Sequence, residues 1–125
     1  MRNIGIAIID DESLVRLGIK SSVAWEEYGY EIVGEADNGQ TGLEMIREKH
    51  PDIVLLDVCM PGILGTEVAQ ELRKFSSSTE IIFLTTSDEF AMDAFAVKAT
   101  DYLLKPFLLP ELLAVVPGAQ LRGVD

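Results

Sequence analysis

A chain of 125 residues, 48% hydrophobic and 25% charged, is the size of one ordinary globular domain with a substantial core, so residues 1–125 are expected to form a single domain. Its formal net charge of −11 excludes a domain that grips nucleic acid or an anionic membrane through its own surface, since both would repel it. The single cysteine, Cys59, excludes an internal disulfide and a zinc framework, and no stretch has signal-peptide or membrane-span character, which predicts a soluble cytoplasmic protein.

In chain order, Ile4 to Ile9 reads as a strand that runs into Asp10 and Asp11, followed by Leu14, Leu17 and Ser21 at helical spacing. Trp25, Tyr28 and Tyr30 lie in the next connection and read as packing residues. Glu31 to Gly34 is a second strand, and Leu43 and Ile46 mark a second helix that His50 and Pro51 end. Ile53 to Leu56 is a third strand and stops at Asp57, a carboxylate that would be costly to bury without a partner. Pro61-Gly62 marks a turn, and Val68, Ala69 and Leu72 mark a third helix. Ile81 to Leu84 is a fourth strand ending in Thr85, and Ala91, Ala94 and Phe95 follow at helical spacing. Phe90, Met92, Phe95 and Val97 exceed what one buried face needs, which predicts that some are exposed for a partner. Tyr102 to Leu104 is a fifth strand ending in Lys105-Pro106. A last helix beginning near Pro110-Glu111 should be shortened or kinked by Pro117-Gly118, and "AQLRGVD" beyond it has only a weak amphipathic pattern.

Strands apolar on both faces, alternating with helices, predict right-handed βαβ crossovers and a doubly wound, five-stranded parallel sheet in a three-layer α/β/α sandwich. Ligands bind such sheets outside the carboxyl ends of the strands, so Asp10, Asp11, Asp57, Thr85 and Lys105 are expected on one rim. Crowded carboxylates repel unless a cation compensates them, and magnesium is held by one or two carboxylates while leaving room for phosphate oxygens. An aspartate so placed can attack a phosphoryl group.

The pieces "IIDDE", "LLDVCMPG", "FLTT" and "DYLLKPF", in this order at successive strand ends, resemble the receiver (CheY-like) domain of bacterial two-component response regulators, with its flavodoxin-like (βα)5 fold, across essentially the whole chain through Leu109. The resemblance implies that Asp57 accepts a phosphoryl group from a sensor histidine kinase. It further implies that Asp10, Asp11, Asp57 and the backbone carbonyl of Cys59 hold Mg2+ (or Mn2+). Lys105 would contact the phosphate and precede a cis bond to Pro106. Thr85 and Tyr102 would relay the change to the face of the fourth helix, fifth strand and fifth helix. Such a protein is a phosphoaccepting regulator, which catalyses only its own phosphorylation and dephosphorylation.

Thr86 stands where receivers usually carry Ala or Gly, and its branched side chain is expected to narrow access to the pocket and slow dephosphorylation. Leu64 stands where the family often has Asp or Asn, so a helix cap is expected to be lost. The first half of the chain resembles receivers joined to AraC-type DNA-binding domains, whereas "AFAVKATDYLLKPF" resembles those preceding LytTR-type domains. A covalently linked DNA-binding output domain and a homodimer formed on phosphorylation are the expected partners beyond the kinase. The competing readings are weaker. A haloacid-dehalogenase-like phosphatase needs a second Asp where this chain has Cys59, and an FMN carrier needs a phosphate-cradling first loop that Asp10-Asp11 would repel. A receiver-like interaction module that is not phosphorylated is the remaining alternative.

Overall fold

The computed structural model describes residues 2–124; Met1 and Asp125, the ends of the expected 1–125 domain, lie outside the described residues. The strands are β1 (Ile4–Ile9), β2 (Tyr30–Ala36), β3 (Ile53–Asp57), β4 (Glu80–Thr85) and β5 (Asp101–Leu104). All pair in parallel, in the order β2-β1-β3-β4-β5. The helices are α1 (Ser13–Ser22), α2 (Gly39–Lys49), α3 (Gly65–Phe75), α4 (Ala91–Ala96) and α5 (Leu109–Val115). This is the doubly wound α/β sandwich expected from the alternation of strands and helices.

The aliphatic strands divide their side chains between two cores, as a twofold side-chain period requires. Ala7, Ile9, Val54, Leu56, Ile81 and Phe83 face α2, α3 and α4. Ile6, Ile8, Leu55, Ile82 and Leu84 face α1 and α5, where they meet Ile19, Leu112 and Leu113. On α1 the buried position is Ile19, while Leu14 and Leu17 are 80% and 55% exposed. The Leu14, Leu17, Ser21 stripe is therefore the outer face, not the packed one. Helical spacing alone cannot choose between two apolar stripes on one short helix, and here the sheet takes the one through Val15, Ile19 and Ser22.

A 3₁₀ turn, Trp25–Tyr28, leads into β2. Trp25 is buried, donates Nε1 to the carbonyl of Ile19 at 3.0 Å and meets Tyr30 edge-on at 5.6 Å, which fixes the aromatic connection as packing. The helix α5 is only two turns long and ends where Val116 becomes extended, ahead of Pro117. The segment that follows is more ordered into the core than its pattern suggested: Ala119 and Val124 are buried, Tyr30 donates its hydroxyl to the Pro117 carbonyl at 2.7 Å, and Arg122 lies over the Tyr30 ring.

Two local features set the α3 end of the site. Leu64 is the N-cap of α3 and offers no acceptor, but Glu67 reaches back to accept from the Leu64 backbone N–H at 3.2 Å, half of a capping box. Gly65 starts α3 against the end of β3, where an added Cβ would lie 2.1 Å from the Asp57 carbonyl oxygen. Only glycine allows that approach.

Candidate functional site

The rim at the carboxyl ends of the strands gathers the strand-end residues singled out from sequence. Asp10 follows β1 directly, Asp57 is the last residue of β3, Thr85 is the last of β4, and Lys105 follows β5. Parallel pairing holds these ends level: Asp57 sits opposite Leu84, the Val58 N–H bonds the Leu84 carbonyl, and the Lys105 N–H bonds the Thr85 carbonyl at 2.7 Å. Lys105 enters three strands away from β1, yet its Nζ ends 2.8 Å from Asp10 Oδ2, 3.0 Å from Glu12 Oε1 and 3.5 Å from Asp57 Oδ1. The Lys105–Pro106 peptide is cis.

Burial makes this an electrostatically loaded place. Asp10 is fully buried and Asp57 is 5% exposed. Burial first, then the charge of Asp10 and the neighbouring Asp11 carboxyl, push the Asp57 carboxyl up from 3.8 to about 7, against the opposing pull of Lys105. Burial works against the charge of Lys105 as well, but the close carboxylates of Asp10 and Glu12 and the charge of Asp57 outweigh it and hold the amine above the ordinary lysine range. Asp10 Oδ1 accepts from the Glu12 N–H at 2.9 Å. Asp10 Oδ2 is paired with Lys105 only as an ion pair out of hydrogen-bond alignment, and it has no hydrogen-bond partner among the described residues.

Ligand oxygens of Asp10, Asp11 and Glu12 lie within 4.8 Å of one another. A cavity of about 210 Å³ opens beside them, lined by Asp11, Glu12, Asp57, Cys59, Thr85, Thr86 and Lys105. Thr85 is buried, and its hydroxyl donates to the Ser87 carbonyl at 3.1 Å while accepting from the Ser87 N–H at 3.2 Å, so it is engaged away from Asp57. Thr86 and the Cys59 side chain are exposed at the cavity mouth. Tyr102 is half-buried and packs on the core beneath α3 and α4 together with Phe90. On α4, Ala94 is buried whereas Met92 and Phe95 are 78% and 82% exposed.

Glu12 is the site residue that reading the sequence missed. Its signal was the third acid of "DDE", which passes equally well for an ordinary acidic residue at a helix start.

The chain matches the family model described as "Response regulator receiver domain" over residues 6–117. It is a receiver domain. Over 115 residues it is 41% identical to the positive alginate biosynthesis regulatory protein of Pseudomonas aeruginosa, covering 91% of this chain and 46% of that protein. It is 35% identical over 104 residues to the chemotaxis protein CheY of Thermotoga maritima, covering 82% of this chain and 85% of that one. The structure superposes on the receiver domain of AraT, a response regulator from Geobacillus stearothermophilus, with a TM-score of 0.85 at 32% identity, covering 94% and 93% of the two chains. The chain spans less than half the length of the alginate regulator it matches. Receiver domains are phosphoacceptors rather than conventional enzymes, and the acidic pocket of this one suits that role. No helix among the described residues is long and apolar enough to cross a membrane.

Proposed function

We propose that this receiver domain, residues 1–125, is a phosphorylation switch in which Asp57 is the acceptor. The observation that carries the reading is the placement of Asp57 at the end of β3, nearly buried, with Lys105 Nζ 3.5 Å away and a cavity open to its carboxylate. In the transfer, an Asp57 carboxylate oxygen bonds to the phosphorus of a phosphohistidine on a sensor kinase. The P–N bond breaks, and its electron pair leaves with the imidazole nitrogen. Lys105 shields the approaching anion, and the Thr85 hydroxyl exchanges its Ser87 partners for a phosphoryl oxygen, which draws the loop after β4 inward.

The donor set fits a hard divalent ion: buried carboxylate oxygen on Asp10 without a hydrogen-bond partner, Asp57 driven toward protonation, and acids of the Asp10-Asp11-Glu12 run close together. Asp10, Asp11, Asp57 and the backbone carbonyl of Cys59 would hold Mg2+ or Mn2+. Bound there, the ion would supply the positive charge that keeps the carboxylates ionised and screens an incoming phosphoryl group. Thr86 at the cavity mouth is the modulator of access.

Tyr102 and the exposed Met92 and Phe95 on α4 support a readout through the α4, β5 and α5 face, including a homodimer formed on phosphorylation. The physiological donor in this reading is a sensor histidine kinase, with this domain acting in the cytoplasm. The greater length of the alginate regulator supports an attached output domain, of AraC or LytTR type by the sequence likenesses. Intact mass after incubation with magnesium and acetyl phosphate tests the assignment. The expected result is a gain of one phosphoryl group, abolished by Asp57→Ala; an unchanged mass for the unsubstituted chain with acetyl phosphate and with a phosphorylated kinase would refute it.

A further inference from the structure

Lys105 is shared by three carboxylates, and the nearest two are not the proposed acceptor. Asp10 lies at 2.8 Å and Glu12 at 3.0 Å, against 3.5 Å for Asp57. The only aligned side-chain hydrogen bond from Nζ among the described residues goes to Glu12. An arriving phosphoryl group needs this amine, so one of the present partners must yield it. Asp10 is fully buried and cannot follow the amine or turn to water without losing its charge compensation. Glu12 differs: its side chain is 60% exposed, it sits at the N-cap of α1, and water can receive its carboxylate as soon as it lets go. The Lys105 side chain is only 10% exposed, so the amine is far less hydrated than the Glu12 carboxylate when the contact breaks.

We propose that Glu12 is a releasable counter-charge for Lys105, a positioning residue that holds the amine at the site and surrenders it to the phosphoryl donor. The inference rests on the reading of Asp57 as acceptor. Glu12 thereby sets how readily a phosphodonor binds. While the contact stands, the donor meets the Glu12 carboxylate at the cavity wall and an amine held by both Asp10 and Glu12; when the contact opens, that carboxylate turns toward solvent and the amine keeps its buried Asp10 partner but has a position free for the donor. The cost falls on donor binding rather than on the transfer itself, because Glu12 has already left when the donor is seated.

The experiment measures phosphorylation rate against acetyl phosphate concentration, and against magnesium concentration, for the unsubstituted chain, Glu12→Gln and Glu12→Asp. Glu12→Gln should raise the rate at subsaturating donor by about threefold to tenfold through a lower half-saturating donor concentration, with the maximal rate changed less than about twofold. Glu12→Asp, which keeps the charge on a shorter side chain, should move in the same direction as Glu12→Gln. The half-saturating magnesium concentration should be the same in all three chains. Unchanged or slower uptake in Glu12→Gln overturns the inference, as does a raised magnesium requirement, which would make Glu12 a metal ligand instead. If Glu12→Asp behaves like the unsubstituted chain, general charge rather than the contact is responsible and the inference also fails. Thermal melting of each variant identifies a folding defect, and an unsubstituted chain that takes up no phosphoryl group from acetyl phosphate or from a phosphorylated kinase refutes the Asp57 assignment itself.

Discussion

Removing the charge of Asp57 should make the metal-free protein more stable, not less. Its carboxyl is raised from 3.8 to about 7 by burial and by Asp10 and Asp11, while Lys105 is closer to Asp10 and Glu12 than to Asp57. A folded-state value above the ordinary one means that the native protein holds a proton that the unfolded chain has already released. The penalty is therefore absent below about pH 4, grows between about pH 4 and 7, and is complete above pH 7. The full interval corresponds to about 4 kcal/mol at 1.36 kcal/mol per pH unit; rim solvation and the coupling to Asp11 reduce this to about 1–3 kcal/mol. Asp57→Asn is nearly isosteric and removes the charge. In EDTA at pH 8 it should raise Tm by about 4–12 °C, taking about 4 °C per kcal/mol for a domain of this size. At pH 5 the gain should fall to about a third. Magnesium at ten times its dissociation constant should return about 1.4 kcal/mol to the unsubstituted protein and narrow the gap. Melts of both proteins at the two pH values, with and without magnesium, decide it. An Asp57→Asn protein no more stable at pH 8 than the original, or a gain independent of pH, would refute the electrostatic account of the site.

Thr86→Ala should speed both loss of the phosphoryl group and uptake from acetyl phosphate severalfold, read by intact mass over time, because Thr86 stands at the mouth of the cavity; unchanged rates would remove it as a modulator. Arg73 donates to the carbonyls of Val97, Ser76, Thr79 and Lys98, tying the end of α3 to the turn after α4, so Arg73→Ala should cost about 2–4 kcal/mol in urea denaturation. Gly65→Ala should destabilise by about 2 kcal/mol or more and impair phosphorylation, since its Cβ would collide with the Asp57 carbonyl; denaturation and phosphoryl uptake measured on the same sample check both effects.

The sheet was legible because parallel strands buried on both faces must be continuously aliphatic, and Ile53–Leu56 and Ile81–Leu84 could hardly be anything else. β2 runs further than the expected Glu31 to Gly34, taking in Tyr30 at its start and Glu35 and Ala36 at its end. It is an edge strand, and Glu35 is held by Arg16 and Lys20 across the surface rather than by burial. The packed face of α1 was not legible, since Leu14 and Leu17 compete with Val15 and Ile19 and only the tertiary contact decides between them. Nor was the tail: Ala119 and Val124 enter the core through the turn at Pro117-Gly118, which periodicity cannot describe. At the rim, strand ends and residue types placed Asp10, Asp57, Thr85 and Lys105 together, because parallel register brings those ends level. Glu12 escaped because a side chain reaching sideways from a helix cap leaves no spacing signal.

The most direct test of the account is the position of the phosphoryl group. Borohydride reduces an aspartyl phosphate to homoserine and leaves free carboxylates intact, so the phosphorylated chain can be trapped, digested and sequenced by mass spectrometry. The account predicts homoserine at position 57 alone, dependent on magnesium. Homoserine at position 10 or 11 with Asp57 unmodified would contradict it.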